Sequence, residues 1–398
     1  MKNKNLLLLI LFFSICVHAE DTVQVNNSTN NPVNRFTFNL FRSIKSDNAK
    51  QNNFVISPMS VSFLLGMLND GAGGETRTEI SNLLGCNVET FDSLTSTTLL
   101  NVKSNDDSTN MSISNCMILN DKCKLNNSYQ DKIENTYSAL VKNMDFKASN
   151  TLNEINDWCC KKTGGMIPTT IDYISPDAYA YLLNTVYFNG KWKHEFIDIF
   201  TKSEDFTKFD GKPIKMKIMH GFGYYQYYKN KNYSTIVMDY LDSKFQMMIL
   251  LPNKRKRIND ILKEMDEHQW NSIADKLSER RLDVKIPVFT IETKVILNPI
   301  LMNLGLSSAF SLEKADFKNM SCDPLCISSI IHKTKIEVNE QGTKAFSITG
   351  MDYVGASKRK FKIPKYKKFY AIHPFIFAIK EKGSNTILFI GEFDGTGY

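Results

Sequence analysis

The stretch PFIFAIKEKGSNTILFIGEF, residues 374–393, sets two apolar runs on either side of a turn. Phe375–Ile379 and Ile387–Ile390 lack polar alternation, so each reads as a strand covered on both faces. Lys382-Gly383-Ser384-Asn385 between them has the composition of a hairpin turn. Strands buried on two sides need a layer against each face, and the rest of the chain offers candidates. Strand-like runs recur at 182–188 (LLNTVYF), 245–252 (FQMMILLP) and 282–293 (LDVKIPVFTIET). Helical patterns lie mostly earlier: one begins near Phe36, and others cover about 75–84, 126–140 and 152–163. In SPMSVSFLLGML, Ser57 is a natural cap and Pro58 suits a first turn, while Val61, Leu64, Leu65 and Leu68 form one apolar stripe. Helices mostly first and strands mostly later, without regular alternation, predict an α+β fold.

The chain has 398 residues, 42% hydrophobic and 23% charged, which is ordinary for a globular protein with a sizeable core. No repeat or Pro/Gly/Ser linker divides it, so one domain over 20–398 is expected. Residues 1–19 read as a cleaved secretory signal: Lys2 and Lys4, an apolar run from Leu6 to Val17, and cleavage after Ala19. That run is too short for a membrane anchor, which needs about 20 residues. The expectation is a secreted, soluble, extracellular monomer. Six N-x-S/T sequons, at Asn26, Asn27, Asn110, Asn126, Asn232 and Asn319, fit that route as glycosylation candidates. Without Cys16, seven cysteines remain, so at least one thiol is unpaired. All seven read mainly as core or surface residues, with Cys116/Cys123 and Cys322/Cys326 as alternative bridges.

Net charge is +7, or +5 without the leader. Lys358, Arg359, Lys360, Lys362, Lys365, Lys367 and Lys368 exceed that total by two, leaving the remainder at about −2. Such local basicity argues against a general nucleic-acid surface and suits a solvated loop, or a site for a sulfated polysaccharide or an acidic protease surface. The glycines of GAGGETR (71–77) lack phosphate-loop spacing and follow a helix. HExxH, GxSxG and paired CxxC motifs are absent, and the histidines have no metal-ligand spacing. No cofactor, metal or enzymatic activity is expected.

Four stretches resemble the serpin superfamily, from about Phe36 to the C-terminus. They are NFVISPMSVSFLLGMLNDGAGGETRTEI (53–80), LLNTVYFNGKW (182–192), KADFKNMS (314–321) with IIHKTKIEVNEQGTKA (330–345), and FYAIHPFIFAI (369–379) with ILFIGEF (387–393). The resemblance implies three β-sheets, eight to nine helices and an exposed reactive-centre loop at about 340–368. In that family a protease attacks the loop, and the cut loop enters the large sheet as an extra strand, trapping the acyl-enzyme. Matched positions imply a polar gate of Ser57, Ser60, Asn184 and His332 under the opening strands, and an entry region at Trp192 and Glu340. Val288 departs from the pattern, standing where a basic partner for Glu340 is expected.

In EVNEQGTKAFSITG (337–350), Gly342 reads as a pivot, and Thr343, Ala345, Ser347 and Thr349 place small side chains on one strand face. Phe346 and Ile348 fall on the other face. Thr343 to Ala356 extends roughly 46 Å as a strand. Spacing from Glu340 puts the bait bond at Ala356-Ser357, which suits elastase- or chymotrypsin-like enzymes. The loop is longer than usual, which leaves three alternatives: Tyr353 for chymotrypsin-like enzymes, and Lys358 or Arg359 for trypsin-like ones. A non-inhibitory binding or chaperone protein of the same fold is the other functional reading.

Overall fold

The computed structural model describes residues 31–47, 53–102, 108–342 and 366–397. Its strands, in chain order, begin with β1 Phe54–Ile56, β2 Thr109–Asn120, β3 Leu140–Met144 and β4 Ala180–Gly190. There follow β5 Lys202–Thr207, β6 Pro213–Lys229, β7 Tyr233–Asp239, β8 Phe245–Pro252 and β9 Ser278–Pro287. The last five are β10 Phe289–Ile296, β11 Ile327–Val338, β12 Lys367–Tyr370, β13 Phe375–Glu381 and β14 Ile387–Phe393. Nine α-helices accompany them among the described residues.

The 374–393 stretch is the antiparallel pair β13/β14, with β8 and β1 on its flanks. Its odd positions face one layer and its even positions another. Phe377 and Phe393 on the odd face pack against Phe289 of β10, with ring centroids 5.3 and 4.7 Å apart. Gly391 lies on that face because a Cβ there would come within 2.5 Å of the Phe377 ring. On the even face Glu392 pairs with Lys45 of the Pro32–Asp47 helix. Both strands are buried throughout, apart from half-buried Glu381, because each face has its own cover.

The described strands form two hydrogen-bonded sheets. A nine-stranded sheet runs β1-β14-β13-β8-β7-β6-β9-β12 with β5 on β6. A five-stranded one runs β10-β11-β4-β2-β3. The first merges what the resemblance counts as two sheets, because β6 reaches β7 through the four pairs Gln226–Lys229 while its earlier part belongs to β5 and β9.

Element boundaries follow the sequence patterns with three informative differences. The Pro58–Gly71 helix is buried on every side, not along one stripe, because it is enclosed between sheet and neighbouring helices. The helix expected to reach residue 140 stops at Tyr137, where Ser138 takes a left-handed cap at φ 51° and the chain turns into β3. The apolar run 282–293 is two strands in different sheets, β9 and β10, parted at Val288. No described helix is long and apolar enough to cross a membrane.

Candidate functional site

β11 and β4 are parallel neighbours in the five-stranded sheet, flanked by antiparallel β10 and β2. The seam holds eight residue pairs, from Ile327↔Ala180 to Lys335↔Tyr187, with His332 opposite Asn184. Asn115 of β2 stands opposite Asn184 on the other side, so three polar residues line up across the strands.

A hydrogen-bond chain runs along this line, and backbone groups fix its direction. The Ser57 N–H donates to His332 Nε2 at 3.0 Å, so that nitrogen is an acceptor and the ring proton sits on Nδ1. Nδ1–H therefore donates to Asn184 Oδ1 at 2.7 Å. The Asn184 amide donates to Asn115 Oδ1 at 2.8 Å, and the Asn115 amide to the Tyr137 carbonyl at 3.1 Å. Thr334, two residues along β11 and so on the same face, adds its hydroxyl to His332 Nε2 at 2.7 Å. Ser57 Oγ caps the Pro58–Gly71 helix, accepting from the Ser60 N–H at 3.4 Å, and lies 3.1 Å from Ser60 Oγ. His332, Asn184, Ser57 and Ser60 are fully buried. Burial without an anionic partner pushes the His332 pKa down to about 3, so the imidazole is neutral.

The resemblance pointed to Ser57, Ser60, Asn184 and His332, and the fold brings all four together. Asn115, Thr334 and the Tyr137 carbonyl were missed. Thr334 had a signal, a second polar residue at i+2 on a core strand. Asn115 had a weaker one, an amide within the apolar stretch of β2.

At the upper end of the seam β11 outlasts its pairing with β4. Ile336, Glu337 and Val338 pair with β10 alone. The chain then turns, and Asn339↔Gly342 and Lys191↔Gly342 form antiparallel bridges. Three successive carbonyls are held by the segment after β4. The Trp192 indole N–H donates to Asn339 O at 2.9 Å, the Phe196 N–H to Glu340 O at 2.8 Å and the Trp192 N–H to Gln341 O at 3.0 Å. The indole is itself fixed by stacking on Tyr240 at 4.5 Å. Gly342 is required twice over: its φ is +103°, and a Cβ would lie 2.2 Å from the Gly190 carbonyl. Glu340 is thus engaged through its backbone, and half-buried Val288 packs against the core, donating its N–H to Lys217 O at 2.9 Å.

The outer face of the seam is covered by the Thr151–Lys162 helix, whose Ile155 and Cys159 pack with Leu183 and Ile331. All seven described cysteines are free thiols. Of the sequons, Asn319 is exposed and Asn126 half-buried. Asn232 is a correction: it is 2% exposed, and its amide nitrogen donates to Glu264 at 2.6 Å, so the folded chain does not present it for glycosylation. Lys367 and Lys368 lie exposed on β12. The leader 1–19, Asn26 and Asn27, hinge positions Thr343, Ala345, Ser347 and Thr349, bait candidates Tyr353, Ala356, Ser357, Lys358 and Arg359, and Lys360, Lys362 and Lys365 lie outside the described residues. So does the Asn110 side chain. Among the described residues no cluster of His, Cys, Asp or Glu could hold a metal ion.

Residues 31–394 match the Serpin (serine protease inhibitor) family. Serpin B6 of Macaca fascicularis is 30% identical over 375 residues, 90% of this chain and 96% of the relative. The native-state structure of tengpin, a thermophilic serpin, superposes with a TM-score of 0.84 at 26% identity, covering 92% of this chain and 93% of tengpin. Native protease nexin-1 with heparin gives 0.81 at 24% identity, with 92% and 100% covered, and shares the fold. A parallel seam latched at its mouth and crossed by a buried polar chain thus sits in a fold and a sequence that agree: the chain belongs to the serpin family.

Proposed function

We propose that this protein is a secreted suicide-substrate inhibitor of serine proteases, with Ala356-Ser357 as the bait bond and elastase- or chymotrypsin-like enzymes as targets. One observation carries the reading: Gly342, the last described residue before 366, is bridged to Lys191 at the mouth of the parallel β11/β4 pair, where β11 runs on paired with β10 alone.

The protease serine attacks the carbonyl of residue 356, the bond to residue 357 breaks, its nitrogen leaves as a protonated amine, and an ester to the enzyme remains. The freed strand then enters the seam antiparallel to both β11 and β4. One parallel interface is replaced by two antiparallel ones, which are somewhat more stable per residue. The bridges at Gly342 set the register. Each residue beyond Gly342 moves one back along β11 and along β4, so seven steps bring position 349 opposite both His332 and Asn184. Insertion widens the seam by one strand spacing, about 4.8 Å, and breaks the His332–Asn184 bond. The Thr349 hydroxyl is placed to accept from Nδ1–H and donate to Asn184 Oδ1. Carriage of the enzyme across the sheet distorts its active site before water can cleave the ester. The cations from Lys358 to Lys368 are proposed to draw in a polyanion or an acidic protease surface.

Incubation with elastase, chymotrypsin and trypsin, followed by denaturing gels and sequencing of the C-terminal peptide, tests the proposal. The expected result is an SDS-resistant complex with elastase or chymotrypsin and a peptide beginning at Ser357. Cleavage by a broad panel without any complex would favour a binding protein of the same fold.

A further inference from the structure

The cations at 358–368 have a counterpart elsewhere on the surface. A cleft of about 220 Å³ opens between the turn after β5, the loop after β8 and the connection from β12 to β13. It is lined by Lys208, Phe209, Lys254, Arg255, Lys256 and Arg257, with His373 and Pro374 from the third segment, and no carboxylate is among the described residues that border it. The nearest acids in sequence belong to the same loops and are held by their own backbone. Asp210 accepts from the Lys212 N–H at 3.0 Å and faces its ammonium at 3.7 Å, and Asp260 accepts from the Arg257 N–H at 2.9 Å.

Four adjacent cations repel one another unless an anion sits among them. The loop that carries them also holds Arg255 at φ +69°, a left-handed conformation that costs a non-glycine residue about 1 kcal/mol. Phe209, 58% exposed, lies under the Arg257 guanidinium at 5.5 Å. The exposed ring offers one face to the C–H face of a sugar, and the cations beside it offer charge to its sulfates. The connection into the cleft starts from β12. Lys368 is five residues before His373, at most about 18 Å along the chain, and exposed Arg280 and Arg281 lie on neighbouring β9. A linear chain with repeated sulfates can therefore touch both groups at once, whereas a membrane plane meets the exposed strand without entering the recess.

We propose that this cleft binds sulfated sugar residues of a polysaccharide that continues across Lys367 and Lys368. The site extends the polyanion part of the proposed function and stands without protease inhibition.

Isothermal titration of the full chain with a heparin octasaccharide, at several salt concentrations, tests it. The triple variant Lys254→Ala/Lys256→Ala/Arg257→Ala is expected to bind at least 10-fold more weakly, with a salt dependence shallower by two to three charges. Arg255 is kept to leave the loop backbone intact, and thermal melting verifies folding. A charge-matched variant, Lys124→Ala/Lys161→Ala/Lys314→Ala, is expected to change less than 2-fold. Equal losses in both triples reduce the effect to net charge and overturn the site, as does tighter binding to phosphatidylserine vesicles than to heparin. A third triple, Lys358→Ala/Arg359→Ala/Lys360→Ala, separates the two readings. Loss there with the cleft triple unchanged defeats the cleft and keeps the basic run, and the reverse result keeps the cleft.

Discussion

His332 shows how one neutral side chain constrains a sheet. Its ring donates at one nitrogen and accepts at the other, so it joins β11 to β4 and to the helix cap at Ser57 simultaneously. Unfolded, it takes a proton near pH 6.5; folded, it stays neutral to about pH 3. The unfolded state therefore binds the extra proton between those values, and stability falls as pH drops through that window. The loss is about 1.4 kcal/mol per pH unit from this group, or about 2 kcal/mol at pH 5. His332→Gln, which keeps an acceptor for the Ser57 amide, is expected to flatten that part of the acid-unfolding curve, measured by denaturant titration from pH 7 to 5. An unchanged slope would assign the acid sensitivity to other groups. The polar gate was legible in the sequence only in part, because a residue's type reveals burial better than it reveals its partners. Asn115 and Asn184 meet through strand register, which no local pattern encodes.

Among elements, the seam and its latch depend on each other. Gly342→Ala places a methyl against the Gly190 carbonyl in a backbone region hostile to L-residues, so the turn at 339–342 should detach. Amide exchange at Trp192 and Phe196, whose N–H groups bond to Gln341 and Glu340, is expected to rise at least 10-fold while Leu182 and Val186 stay protected. Unchanged protection at 192 and 196 would show that the latch tolerates the methyl. The predicted register gives a second check. Thr349→Val removes the hydroxyl that the proposed insertion would set between His332 and Asn184, and should lower the melting temperature of loop-cleaved protein while leaving the uncut form unchanged. Equal effects on both forms would refute that pairing. Thr343→Arg, a large charged residue on the inward face, should convert inhibitor into substrate; full retention of the SDS-resistant complex would remove Thr343 from the hinge. The sequence patterns misjudged the element at 282–293 because one apolar alternation served two sheets. The break is marked by Pro287, the last residue of β9, beside Val288, but one proline inside the alternation did not show that the strands on its two sides pair in different sheets.

Across the whole molecule, two apolar layers share the β13/β14 pair, and this much was readable from uninterrupted runs of Phe, Ile and Leu. The basic cleft was not. Lys208 and Lys254–Arg257 come from separate loops, and a charge total that nearly cancels elsewhere hides their convergence. Loop-cleaved protein is expected to melt far higher than uncut protein if the loop completes the sheet, and equal melting temperatures would count against insertion.

The passage from β9 through Val288 to β10 has a mechanical consequence. β10 pairs with β11, which delivers the loop at Gly342, and β9 pairs with β12, which receives it at Lys367. Both moorings of the loop therefore hang on one uninterrupted length of chain, like a bowstring tied to a single stave. A cut at the bait bond frees the string at one end only. With the proposed cut at Ala356-Ser357, the released fragment is the 42 residues from Ser357 onward, and β12, β13 and β14 within it are strands of the nine-stranded sheet. That fragment should stay with the cleaved protein on a sizing column and part from it only in denaturant.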